Sequence, residues 1–174
     1  DPTEYTPNLG MASYNRPDRV KLAPINERTI VAAITNRIAT DVSQLEIRHV
    51  RVDEEKRYVE DIDSDLNNCL TTEANKDQSG RAFRKDIAMS LLDEGCIAVV
   101  PVDTDDEIYD GNNFSIITMR TGKITEWRPD HVKVEVYNDR NGQREQRIVP
   151  KESVSIIENP FYPVMNEPNS TLKR

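Results

Sequence analysis

The side chains best placed to do chemistry are Asp103, Asp105, Asp106, Glu107 and Asp110, a dense acidic cluster that directly follows an apolar run. Carboxylates on a loop at a strand end can hold a divalent ion, and such an ion neutralises the charge that develops in phosphoryl transfer. Asp103, Asp105 and Asp106 are the candidate ligands. Their spacing is not that of an EF-hand: counting from Asp103, Ile108 stands where the glycine is required and Phe114 where the final glutamate is required. A solvated acidic loop accounts for the same residues.

Other chemistries lack their parts. Cys69, Cys96, His49 and His131 show no paired spacing of the kind zinc needs. Neither histidine neighbours a serine or cysteine in sequence, and no serine occupies a GxSxG elbow, so a hydrolytic triad is not expected. The six glycines are too dispersed for a GxGxxG fingerprint. Gly122-Lys123 resembles the end of a phosphate loop, but Ile117 takes the place of the earlier glycine and Ile124 that of the magnesium-binding Ser or Thr. A turn at Thr121-Gly122 is expected there instead. Trp127 with Arg128 is a candidate anchor for a subunit contact, since both types are enriched at interface hot spots; packing within the domain is the alternative for Trp127. The sequence therefore points away from an enzyme and calls for no cofactor.

Charge bounds the partners. The chain has 31 acidic and 23 basic residues, a net charge of −8. Sequence-independent nucleic-acid binding rests on Lys and Arg neutralising phosphates, so this chain should not grip DNA. Two widely spaced cysteines suggest buried small hydrophobes in a reducing cytoplasm, not a disulfide framework. No run approaches the roughly 18 apolar residues of a membrane span. The apolar fraction of 36%, about 40% with the glycines, falls below the roughly 45–50% of ordinary domains. A thin core is expected, with apolar surface saved for neighbours.

The elements that position these residues follow from periodicity. Residues 1–25 hold four prolines and read as an extended arm. Asn26 can cap a helix in which Ile30, Ile34 and Ile38 share one face, expected to lie in the core. Leu45 and Ile47 alternate like a strand, with a break or bulge near His49 before Val50 and Val52; a turn at 53–56 and a return strand at 57–60 follow. Ser64 or Asp63 can cap a short helix. A second strong helix over 79–94 buries Phe83, Ile87 and Leu91, ends at Gly95 and leads into a buried strand closed by Pro101. Strands at 114–120, 124–128, 132–137, 143–149 and 154–158 complete an α+β domain over 26–160, about three helices on mostly antiparallel strands. Residues 161–174 read as a linker and the start of a helix capped near Asn169, as if the chain were a fragment.

Three stretches, residues 29–42 (TIVAAITNRIATDV), 83–102 (FRKDIAMSLLDEGCIAVVPV) and 154–161 (VSIIENPF), resemble the portal, or head–tail connector, family of tailed bacteriophages, in particular portals from phages of Gram-positive hosts. The order of elements between 26 and 160 fits as well. The resemblance implies the N-terminal wing portion of a structural subunit. Its implied assembly is a ring, usually of twelve copies, at one capsid vertex of the virion, built in the host cytoplasm. The implied partners are the major capsid protein, the terminase large subunit, a head–tail adaptor, and DNA that passes through the channel during packaging and ejection without being read. The family has no catalytic residues to carry over. The rival expectation is a metal-dependent nuclease or phosphoesterase built on the 103–110 cluster.

Overall fold

The computed structural model describes residues 30–105, 115–139 and 141–162. The expected arm, the cap at Asn26, Asp106 and the helix start near Asn169 lie outside the described residues. The remainder is α+β, as expected. Helices α1 (Ile30–Ser43), α2 (Asp65–Thr71) and α3 (Gly80–Glu94) combine with the strands of one large and two small antiparallel sheets. The small ones are a ribbon, β1 (Val50–Val52) with β2 (Tyr58–Asp61), and a hairpin, β3 (Glu73–Asn75) with β4 (Gln78–Ser79). The large sheet contains β5 (Cys96–Thr104), β6 (Ile116–Trp127), β7 (His131–Asn138), β8 (Gln143–Pro150) and β9 (Ser155–Glu158), in the order β8-β7-β6-β5-β9.

That order forces the sheet to curl. β8 and β9 occupy opposite edges, roughly 19 Å apart if the sheet were flat. Only residues 151–154 connect them, and Lys151–Ser153 is coiled as a 3-10 turn. The connection is too short unless the edges bend toward each other. Arg147 of β8 accordingly reaches across to donate Nη1 to the Val102 carbonyl of β5 at 3.4 Å. The inside of the curl is a cluster of Ala98, Val100, Val132, Val134 and Val149, with Ile124, Val154 and Ile156 against it.

Alternation then sends Val99 to the opposite face of β5. There it joins Cys69, Ala74, Phe83 and Met119, with Leu66, Leu70, Ile87 and Ile116, in a second core under α2 and α3. Phe83 is fully buried, as expected, whereas Ile87 and Leu91, expected to be buried with it, are half-buried. Ser64 caps α2 by accepting the Asn67 N–H, and Gly95 ends α3 in the left-handed conformation at φ 77°.

Three expectations are overturned. First, Ile30, Ile34 and Ile38 are not core: they are 80%, 52% and 44% exposed. α1 rests on α3 through the opposite side, where Ala39 and Ser43 are buried and Ala32 and Thr35 half-buried. Small side chains let the two helices approach closely, and at 3.6 residues per turn that seam turns the isoleucines outward. Second, residues 45–48 do not form a strand, and Leu45 and Ile47 are exposed. Third, Thr121-Gly122 is no turn but the middle of β6. A Cβ on Gly122 would meet Val100 Cγ2 at 3.2 Å and Val134 Cβ at 3.5 Å, so the glycine serves close packing inside the curl.

Candidate subunit interface

The isoleucine stripe is the most unusual feature of the surface. Along α1 the hydroxyls of Thr35, Thr40 and Ser43 donate to carbonyls three or four residues back, and Arg37 pairs with Asp41 at 3.0 Å. Its C-terminal end is fixed by Arg84 of α3, which is nearly buried and donates Nε and Nη2 to the Ser43 carbonyl at 3.3 and 3.1 Å. The same guanidinium gives Nη1 to the Leu70 carbonyl in α2. One cation thus closes two helix C-termini, where the helix dipole favours positive charge. α1 is therefore firmly seated, and its apolar ridge is held outward.

Next along the chain comes the ribbon. Its base hooks onto α2: the His49 N–H donates to Asn67 Oδ1 at 3.1 Å, and His49 Nδ1 lies 3.0 Å from Ser64 Oγ. This serine–histidine contact joins residues fifteen apart and was not legible in the sequence. Ser64 Oγ also accepts the Asn67 N–H, so its geometry is that of a helix cap. In the ribbon, Val52 faces Tyr58 across a register shift after Arg51, with Val59 as the extra residue. Val52, Tyr58 and Val59 are all exposed. At the tip, Asp53 accepts the N–H groups of Glu55 and Arg57, each at 2.9 Å. The Arg57 N–H and then its guanidinium hold the Asp53 carboxyl below its ordinary range.

Of the acidic cluster, Asp103 and Asp105 are described, while Asp106, Glu107 and Asp110 lie outside the described residues. Asp103 is the half-buried penultimate residue of β5, with its N–H on Thr118 Oγ1, and Asp105 Oδ1 accepts the Ser115 N–H at 2.6 Å. Among the described residues, no group of three or more His, Cys, Asp or Glu side chains is arranged to hold a metal ion. His131 is exposed at the start of β7. Cys69 is fully buried with Sγ 3.3 Å from the Ile117 carbonyl, and burial raises its thiol pKa, which opposes the reactive thiolate form. Trp127 is 53% exposed, with Lys151 Nζ 5.7 Å from its ring centre, and Arg128 Nε pairs with Glu126 at 2.9 Å.

A polar cleft of about 330 Å³ lies among Glu46, Ile47, Arg48, Asp61, Asn67, Thr71 and Arg84. Arg84 is spent on helix carbonyls, and Arg48 on Glu46 and Asp61. The Thr71 hydroxyl donates to the Asn67 carbonyl at 2.7 Å. A further polar cluster joins the β3–β4 hairpin to α3 and β6: Asn75 donates to Gln78 and to the Met119 carbonyl, while Gln78 and Thr121 both donate to Asp86. Beside it, buried Arg120 pairs with Asp77 and Asp139 and stacks 4.7 Å from the Tyr137 ring centre. These groups fasten elements to one another.

No protein-family model and no curated protein matches this sequence. Among the described residues, no helix is long and apolar enough to cross a membrane. What the arrangement can do is bind: an apolar helical ridge and a projecting ribbon, both carried on a well-fastened body.

Proposed function

We propose that this chain is a structural subunit of a tailed-phage portal ring, contributing the wing and its side-to-side contacts. The observation that carries the reading is the outward stripe of Ile30, Ile34 and Ile38. Exposed apolar patches on a stable scaffold mark interaction sites, and a helix that buries alanine and serine while exposing isoleucine is arranged for an outside partner. The portal resemblance of residues 29–42, 83–102 and 154–161 supplies the kind of partner: further copies of the subunit. The run of helix, left-handed Gly95 and apolar strand that dominates that resemblance is present as α3, Gly95 and β5.

On this reading the ring sits at a capsid vertex in the virion, in contact with the major capsid protein, and is the docking point for the terminase large subunit and later a head–tail adaptor. DNA passes through it without sequence-specific contact, in keeping with the net charge of −8. Electron microscopy of the protein at its natural length tests the proposal: closed rings with a central hole are expected. Cleavage of nucleic acid in magnesium or manganese, lost on changing Asp103 and Asp105 to Asn, would instead establish the phosphoesterase reading.

A further inference from the structure

A closed ring needs two different surfaces on each subunit, because a head-to-tail contact matches one patch to another. Among the described residues, eight of the twelve exposed large apolar side chains lie between Ile30 and Val59, a stretch that gives the buried core only Ala39. Two groups stand out within it. One is the stripe on α1, which spans about 12 Å from Ile30 to Ile38 at the helical rise. The other is the Val52, Tyr58 and Val59 group on the β1–β2 ribbon. The other four, Ile117, Trp127, Ile148 and Phe161, are widely separated in sequence.

The ribbon has its own need for a surface. A two-stranded sheet is marginal by itself, and among the described residues no other element packs extensively on this one. The bulge sets Tyr58 and Val59 opposite Val52, while the neighbouring pair, Arg51 and Glu60, is joined by an ion pair of 2.7 Å. The stripe is flanked in the same way by the Arg37–Asp41 pair. The charges of Arg37, Asp41, Arg51 and Glu60 are thus paired within their own patches, so bringing the two patches together need not leave these four unpaired. We propose that the apolar group on the ribbon of one subunit covers the isoleucine stripe of the next. The inference rests on the ring reading and names the contact that would close it.

Cysteine cross-linking of the protein at its natural length tests it. Ile34→Cys and Tyr58→Cys variants are purified separately, mixed and oxidised, beside the unmodified chain to control for Cys69 and Cys96. A disulfide-linked dimer is expected in the mixture and absent from either variant alone. Val52→Cys serves as a second ribbon variant should Tyr58→Cys fail to fold. Closed rings in the microscope without cross-linking would overturn this contact and leave the ring standing. Efficient linking of Ile34→Cys to itself would show stripe against stripe, a two-fold dimer, and overturn the contact. A mixed cross-link between copies that never close into rings would support the contact and overturn the ring.

Discussion

The ring of Tyr162 lies directly over Gly95, so close that a methyl group on Gly95 would overlap the ring carbons. Gly95 is also in the left-handed conformation, and its carbonyl accepts the Asn159 N–H at 2.8 Å. The end of α3, the start of β5 and the segment after β9 are therefore locked at one point. Gly95→Ala should destabilise by at least about 2 kcal/mol, since an L-residue pays roughly 1–2 kcal/mol for that backbone before any clash. Chemical denaturation checks this, and an unchanged midpoint would remove the lock.

Arg84 is the second fastening. Replacing it with Leu leaves the Ser43 and Leu70 carbonyls without their donor, and a loss of about 2–4 kcal/mol is expected. Arg84→Lys should recover only part of this, because one ammonium lacks the fork that spans both carbonyls. The protection of α1 amides against hydrogen exchange should fall before that of the large sheet. Uniform loss across both would contradict a local role.

Phe83 and Ile34 separate inside from outside. Phe83→Ala should cost roughly 3–5 kcal/mol, as expected for an aromatic ring removed from a closed core. Ile34→Ala should change the stability of the isolated chain by no more than about 0.5 kcal/mol, the range of surface substitutions. Comparable losses at both positions would show that the stripe is internal after all.

Asp53 gives a pH signature. Its carboxyl is held low by the Arg57 N–H and guanidinium, so its contribution to the ribbon turn is present above the ordinary carboxylate pKa. That contribution is lost as pH falls through the depressed value. The Arg57 amide resonance should accordingly titrate below the ordinary range for aspartate, and Asp53→Asn should abolish the transition. A midpoint at or above the ordinary value would remove the turn from the account.

Local signals in the sequence were read well. The periodicity of α3, the glycine at its end and the apolar run of β5 each depend on neighbouring residues, and the structure has them in place, although β5 runs on through Pro101 to Thr104 instead of closing there. Misreadings arose where the deciding partner is distant. Gly122 resembles a turn residue in the sequence because its reason, close approach to Val100 and Val134, lies on other strands. The curl of the large sheet follows from a pairing order that puts β8 and β9 on opposite edges with only residues 151–154 between them, which no local pattern announces. The α1 stripe is the most instructive case. Periodicity finds the apolar face of a helix but cannot say whether its own chain or another molecule covers it; that depended on which face met α3.

The central claim is that this apolar ridge exists for assembly, and sedimentation velocity on the natural-length protein and its Ile34→Lys variant tests it most directly. The unmodified protein should sediment as a large, concentration-dependent species. The variant should remain a folded monomer with an unchanged denaturation midpoint. A protein that stays monomeric at every concentration, or a variant that assembles as readily as its parent, would contradict the account.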